Sequence, residues 1–88
     1  MPVREERESI ACEDGRTMRV TYVLSKSFSA EFSCDTYDIS VTAENTGETA
    51  TVHGVTSDRE TAENMFSKIV RGRVTAVTLR YVIEDMLP

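Results

Sequence analysis

His53 is the only histidine in this 88-residue chain, so any catalytic set that needs an imidazole must include it. In the sheet expected below, His53 lies among threonine and serine side chains on the face opposite the apolar one. A hydroxyl-rich outer face follows from β-propensity and contact with solvent alone, so we interpret His53 as an ordinary exposed strand residue. A role as a ligand or as a general base is the alternative interpretation.

The other reactive side chains do not combine into a catalytic or metal-binding pattern. Glu84 and Asp85 are neighbours on an expected helix, where adjacent side chains point about 100° apart and form no catalytic dyad. Cys12 and Cys34 belong to no CxxC or Cys/His spacing, and we expect reduced thiols unless the domain is secreted and the two pair. No glycine-rich phosphate loop or nucleophile elbow is present. The sequence therefore predicts a non-enzymatic protein with no catalytic residue, metal or cofactor.

Acidic residues outnumber basic ones by 15 to 10, which leaves a net charge of −5. Proteins that bind the nucleic-acid backbone need a basic face, and the best basic cluster here consists of Lys68, Arg71, Arg73 and Arg80. Cations near helix C-termini complement the helix dipole, so we expect no nucleic-acid partner. No apolar run approaches the ~20 residues of a membrane span, and the charged N-terminus lacks a signal-peptide core. We expect a cytoplasmic protein with no membrane partner.

The chain length predicts one domain over residues 1–88. A chain of this size buries about 64% of its unfolded surface, which is enough for one modest core. Residues 1–8 are highly charged, and we expect them to be either disordered or an edge strand.

Two segments alternate apolar and polar residues with the period of two that is typical of half-buried strands. Weaker strands are expected on either side, near Arg7–Cys12 and Glu48–Val55. The apolar positions are Met18, Val20, Tyr22 and Leu24 in the first segment and Tyr37, Ile39, Val41 and Ala43 in the second.

Turn residues predict the register of the first hairpin. A three-residue loop, Glu13–Gly15, places Ile10 opposite Met18 and leaves Gly15 in a left-handed turn conformation. A two-residue loop would instead place Ile10 across from Arg19, which breaks the match of apolar faces.

The last hairpin is constrained in the same way, because directly opposite residues share a face of the sheet. Face matching places Val41 opposite Val52 and Ala43 opposite Ala50. This register requires an even loop, either residues 46–47 or residues 45–48.

The middle connection, residues 26–35, is polar but contains Phe28 and Phe32. We expect these aromatic side chains to cap the core; a mobile recognition loop is the alternative. The alternation changes phase between Cys34 and Tyr37, which predicts a bend or bulge there.

The last third of the chain has helical periodicity. Residues 57–60, Ser-Asp-Arg-Glu, form a capping box, Gly72 is the expected end of the first helix, and Thr75 can cap a second helix. The apolar stripes are Ala62, Met65, Phe66, Ile69 and Val70 in the first helix and Leu79, Val82, Ile83, Met86 and Leu87 in the second. The predicted fold is therefore α+β (ββββαα), a four-stranded antiparallel meander sheet with a C-terminal helical hairpin packed on one face.

The second helix is the strongest candidate for an interaction surface, because its apolar residues are not confined to one side. Relative to Leu79, Val77 and Tyr81 fall together on the far side and are i, i+4 neighbours. Tyrosine is favoured at the centres of interfaces, so Val77 and Tyr81 are the candidate interaction surface. The alternative is that the helix lies between the sheet and the first helix, or that Tyr81 packs on a neighbour.

Three short motifs resemble a known family. They are Tyr37-Asp38-Ile39, residues 55–60 (Val-Thr-Ser-Asp-Arg-Glu), and Val74-Thr75-Ala76 followed by Leu79 and Val82-Ile83-Glu84-Asp85. With these motifs the chain resembles, over roughly residues 17–87, a family of small bacterial proteins, chiefly Gram-positive, classed only as a domain of unknown function. The family pattern has glycine in place of Asp38 and proline in place of Ala76. The resemblance implies the same fold and a cytoplasmic setting, and it carries over no activity or site.

From the residues we expect a small non-enzymatic domain that binds another protein, or a second copy of itself, through Val77 and Tyr81. The alternative is a small-molecule-binding regulatory domain. It would use the hydroxyl-rich sheet face with His53, or the connection with Phe28 and Phe32, which are the weaker candidate residues.

Overall fold

The computed structural model describes residues 2–11, 14–31 and 33–86. Four strands in the order β1-β2-β3-β4 form one antiparallel sheet, and two helices follow. The elements are β1 (Pro2–Ala11), β2 (Thr17–Ser29), β3 (Cys34–Ala43), β4 (Glu48–Thr56), α1 (Arg59–Arg71) and α2 (Leu79–Met86). This confirms the predicted α+β fold with the element order ββββαα.

The core lies between one face of the sheet and the two helices, as the period-two pattern predicts. Alternate residues in the central parts of β2 and β3 face the helices, so the apolar positions there, from Val20 to Leu24 and from Tyr37 to Ala43, are buried. The fully buried side chains are Val20, Tyr22 and Leu24 of β2, Ile39 and Val41 of β3, Ala62, Phe66 and Ile69 of α1, and Leu79 and Ile83 of α2.

The strand β1 begins at Pro2, five residues before the predicted start at Arg7. Ile10 lies opposite Met18, which confirms the predicted register. Gly15 has φ +84°, the left-handed conformation that the predicted turn requires. The other end of that turn, including Cys12 and Glu13, lies outside the described residues.

The register predicted for β3 and β4 is wrong by two residues. Val41 lies opposite Ala50, whereas Ile39 takes the place opposite Val52. The loop consists of residues 44–47, one position earlier than the predicted four-residue loop. In this position the Asn45 side chain binds β2: it accepts from the backbone N–H of Arg19 and donates to the carbonyl of Thr17. A shift of two residues preserves the side-chain faces, so the predicted faces are correct although the pairing is not.

The irregularity predicted between Cys34 and Tyr37 lies instead in β4. The β2–β3 ladder is continuous, whereas the register between β3 and β4 shifts between Tyr37 and Ile39. Gly54 has φ +63° in this bulge. In a regular strand Val55, three positions after Val52, would face the opposite side of the sheet. The extra residues of the bulge reverse this, so the Val55 side chain faces the core on the same side as Val52.

The helix α1 begins one residue later than the predicted capping box implies. Its N-cap is Asp58, not Ser57, because Asp58 has the extended backbone and its carboxylate accepts from Thr61. The Thr61 backbone N–H lies 2.9 Å and the Thr61 hydroxyl 2.6 Å from Asp58 Oδ2. These hydrogen bonds, the one from the hydroxyl first, lower the pKa of Asp58.

The helix α1 ends at Gly72 as predicted, but the left-handed residue is the next one. Gly72 has φ −79°, whereas Arg73 has φ +50°. The N–H of Arg73 donates to Val70 C=O and the N–H of Val74 donates to Ile69 C=O. This is the Schellman arrangement, which uses the last carbonyls of a helix.

Candidate functional site

The helix α2 begins at Leu79, so Val77 lies in the turn before it and not in the helix. Thr75 does not cap α2 as predicted. Its carbonyl accepts from the N–H of Thr78 at 3.2 Å, which closes a separate turn, and the Thr78 carbonyl accepts the first helical bond, from Val82 at 3.1 Å. The predicted i, i+4 relation within one helix is therefore wrong.

Val77 and Tyr81, which we call the α2 surface, are nevertheless both exposed. Their exposed fractions are 73% and 69%, while Leu79 and Ile83 on the other side of the helix are buried. Tyr81 lies two positions from each of these buried residues, about 200° around the helix, so its ring points away from the core. The alternative prediction, that these side chains are covered by the sheet and α1, is wrong.

The loop that leads into the α2 surface is attached to the sheet through Tyr22. The hydroxyl of this buried residue donates to the Val74 carbonyl at 2.9 Å. Burial raises the pKa of the Tyr22 phenol, the Glu8 carboxylate raises it further, and the Arg73 guanidinium opposes the shift. The loop before Val77 is thus held by a protonated tyrosine as well as by the end of α1.

His53 lies on the polar face of the sheet, where its side chain is 79% exposed. This agrees with the strand-residue interpretation, but one close neighbour was not predicted. His53 Nδ1 lies 3.6 Å from Asp38 Oδ2, in the bulge. The Asp38 carboxylate also accepts from the backbone N–H of Gly54 at 2.8 Å and from the Ser27 hydroxyl at 3.0 Å.

Serine, aspartate and histidine therefore meet at the bulge, but in an order that does not suit nucleophilic catalysis. A catalytic triad needs the imidazole between the carboxylate and the hydroxyl, so that it can remove the hydroxyl proton. Here the Asp38 carboxylate lies between Ser27 and His53 and accepts from the serine. The carboxylate binds the bulged backbone at Gly54 and so has a structural role.

Phe28 is 68% exposed, so the prediction that it caps the core is wrong. The connection predicted over residues 26–35 is mostly strand, because β2 continues to Ser29 and β3 begins at Cys34. β1 pairs with β2 only as far as Ser25, and β4 pairs with β3 only as far as Tyr37. Beyond these residues β2 and β3 continue as a two-stranded ribbon. Phe32 lies outside the described residues.

The two edges of the sheet differ strongly in their protection against further pairing. β1 carries five consecutive charged residues, 4–8, and a register irregularity after Pro2, which are features that discourage pairing with another strand. One of these residues, Arg4, is held over the Phe66 ring at 5.1 Å and donates to Ser67 on α1. β4 has one charged residue, Glu48, and the uncharged sequence Thr-Ala-Thr-Val after it.

The predicted meander order already places β4 at an edge of the sheet, but this edge was not recognised from the sequence as a candidate site. The alternation of polar and apolar residues in β4 would have been compatible with a central strand. The observed order β1-β2-β3-β4 confirms the meander and leaves the outer side of β4 without a neighbouring strand in the described residues.

A cleft of about 590 Å³ lies between the end of β4 and the two helices. Val55, Met65 and Met86 supply its apolar wall, and Asn64 and Lys68 of α1 lie at its polar side. This cleft was not predicted from the sequence, because it combines residues from three elements whose relative placement is set by the tertiary structure.

Across residues 2–11, 14–31 and 33–86, histidine, cysteine and acidic side chains form no group of three or more that could hold a metal ion. Neither helix of this part has the length and hydropathy needed to cross a membrane.

One protein-family model matches the chain over its whole length, residues 1–88; it is described as a family of unknown function, DUF6514. The match extends beyond residues 17–87, over which the sequence motifs indicated a resemblance. Comparisons with curated proteins and with solved structures give no match. On the evidence of the full-length match, the chain belongs to the family of unknown function DUF6514.

Proposed function

We propose that this protein is a non-enzymatic binding module whose partner is another protein chain, bound through the α2 surface. The observation that carries the proposal is the exposure of Val77 and Tyr81, at 73% and 69%, next to a buried helix face. Tyrosine is favoured at the centre of protein interfaces, and Val77 extends the apolar surface beside it. Both side chains remain largely in contact with water in the folded chain, so burying them against a partner would contribute favourable free energy to binding.

The attachment of the α2 surface to the fold supports a role in binding. The preceding loop is held by the Tyr22–Val74 hydrogen bond and by the end of α1, and the buried residues Leu79 and Ile83 hold α2 on the sheet. A preorganised surface loses little conformational entropy on binding, so more of the contact energy appears as affinity.

The proposal is tested with the double variant Val77→Ser, Tyr81→Ser beside the wild type and a matched control, Arg80→Ser. Arg80 is an exposed residue of the same helix, so the control changes charge but not the apolar surface. Each tagged chain is purified from its source cells, and the retained proteins are identified by mass spectrometry. We expect a partner bound to the wild type and to Arg80→Ser but lost from the double variant.

Circular dichroism and urea unfolding of the three chains separate lost binding from lost folding. Because Val77 and Tyr81 are exposed, we expect the double variant to unfold at nearly the wild-type urea concentration. A folded double variant that retains every partner of the wild type would contradict the proposal.

The absence of catalysis is part of this proposal, and the order Ser27–Asp38–His53 supports it. Should a turnover be detected, the variant His53→Ala tests whether the only imidazole acts as its general base. A loss of that turnover in His53→Ala, with the fold retained, would contradict the non-enzymatic assignment.

The cleft favours a second candidate function, the binding of a small apolar molecule with an anionic group. Met65 and Met86 offer adaptable apolar contacts, and Lys68 offers a cation at the polar side of the cleft. A thermal-shift screen of aliphatic and aromatic carboxylates tests this function. We expect any stabilisation to be lost in Lys68→Gln and kept in Arg71→Gln, an exposed cation of the same helix; equal shifts in both variants would argue against the cleft.

A further inference from the structure

The unprotected edge of β4 can accept another extended strand. Its outer backbone N–H and C=O groups have no neighbouring strand in the described part of the sheet, and the residues after Glu48 are short, uncharged or β-branched. Such an edge pairs readily with a strand of compatible alternation. A compatible strand must place polar residues beside Thr49 and Thr51 and apolar residues beside Ala50 and Val52.

A second copy of β4 meets this requirement in an antiparallel arrangement with two-fold symmetry. Directly opposite residues share a face of a sheet. The two-fold axis between the copies must therefore lie at the level of one residue, which then faces its own copy, and not at the level of a peptide bond. An axis at Thr51 pairs Ala50 with Val52 of the second copy, twice, on the side of the core. The same axis places Glu48 opposite Gly54 in the bulge, where no charged side chain faces it. An axis at Ala50 would instead place Glu48 opposite Val52.

We propose that two copies of this chain associate through β4, antiparallel and centred on Thr51, to form one continuous sheet with the helices of both copies on the same side. This inference rests on the proposed function, because it takes the protein partner of that proposal to be a second copy of the chain. The helix α2 contacts β4 more than any other strand, so the pairing brings the two α2 helices toward each other beneath the joined edges.

The two edges explain why association stops at two copies. β1 carries charged residues 4–8 and cannot pair readily with β4 or with another β1. Pairing of β4 with itself is isologous, so it uses the same edge of both copies and leaves only the protected β1 edges outside. The net charge of −5 on each copy opposes association at long range, so added salt is expected to strengthen the dimer.

A charge exchange at the symmetry axis tests the inference. In Thr51→Lys and in Thr51→Glu, like charges face each other across the axis, which disfavours cross-strand pairing. Sedimentation of the full chain over a concentration series is expected to show a wild-type dimer and at least a tenfold weaker association of each variant. A mixture of the two variants is expected to regain the dimer, because lysine then faces glutamate. Labelling one variant with ¹⁵N identifies the mixed dimer by native mass spectrometry.

The matched control is Ser40→Lys, since Ser40 lies opposite Thr51 on the same face but in the central strand β3. It adds the same charge at the same level of the sheet and is expected to dimerise like the wild type. A monomeric wild type at every concentration would overturn the inference, as would equal association of Ser40→Lys and Thr51→Lys, or a mixture that does not recover.

The proposed function and this inference fail in distinguishable ways. If the Thr51 variants associate like the wild type while Val77→Ser, Tyr81→Ser still loses a partner, the α2 surface binds a protein but β4 does not bind a second copy. If the double variant at the α2 surface keeps every partner, the proposed function itself fails.

Discussion

Replacing Tyr22 by phenylalanine tests whether one buried hydroxyl holds the loop between α1 and α2. Tyr22 is fully buried, and its hydroxyl donates to the Val74 carbonyl at 2.9 Å. The net value of such a bond is about 0.5–1.5 kcal/mol, and the carbonyl left without its partner adds to the loss, so we expect Tyr22→Phe to cost about 1–2 kcal/mol. In a domain of this size, each 1 kcal/mol lowers the thermal midpoint by about 4–8 °C.

The same substitution changes the pH dependence of stability in a direction that can be worked out. Burial raises the pKa of Tyr22, so the folded protein keeps the phenolic proton at a pH where the unfolded chain loses it. This contribution to stability is fully present below the unfolded pKa of about 10. It falls as the pH rises toward the folded pKa, because the unfolded chain then binds fewer protons than the folded one. Tyr22→Phe lacks this alkaline loss, so its stability approaches that of the wild type above about pH 10.

Urea unfolding followed by circular dichroism, at neutral pH and at several values above pH 9, measures both effects. The control is Tyr81→Phe, which removes a hydroxyl from an exposed residue and is expected to leave the urea midpoint at neutral pH unchanged. If Tyr22→Phe unfolds at the wild-type urea concentration at neutral pH, the hydroxyl does not hold the loop. A constant difference between Tyr22→Phe and the wild type through the alkaline range would refute the proton-linkage argument.

Three further predictions concern the helices. Arg73→Gly should raise the free energy of unfolding by about 1 kcal/mol, because a non-glycine residue in the left-handed conformation (here φ +50°) costs roughly that much; a lower urea midpoint would contradict this. Because hydrogen bonds from Thr61 lower the pKa of Asp58 in the folded state, the ionised carboxylate stabilises the fold fully at pH values above the usual titration range of an aspartate. This stabilisation is lost as the pH falls through that range and below it. Asp58→Asn should therefore melt below the wild type at pH 7 and approach it in acid, and parallel curves would disprove the linkage. Phe66→Ala should cost about 3–5 kcal/mol by leaving a cavity in the core, and a loss under 1 kcal/mol in urea unfolding would show that the site collapses.

Where a pattern depends on local chain geometry, the sequence was a reliable guide. The alternation in β2 and β3 and the apolar stripe of α1 each correctly identify the buried face, because strand and helix periods are intrinsic to the backbone. The pairing of Ile10 with Met18 follows from a short turn with a glycine at its left-handed position. These elements establish the fold class without reference to any distant contact.

Two of the errors occurred where two local solutions were nearly equivalent. Ser57 and Asp58 can each cap α1, and the side chain that reaches Thr61 decided between them. The register of β4 could shift by two residues without exchanging faces, and the bonds of Asn45 to β2 selected the observed loop. Periodicity cannot distinguish such alternatives, because each satisfies it.

The candidate sites divide in the same way. The sequence by itself determined the residues of the α2 surface, because Val77 and Tyr81 break the one-sided pattern of their segment. Only the tertiary structure decided that this surface is exposed, that Phe28 lies exposed on a two-stranded ribbon, and that Asp38 joins Ser27 and His53 at the bulge. Exposure and side-chain contact between strands depend on which elements become neighbours in space, and that arrangement is set by the packing of the whole chain.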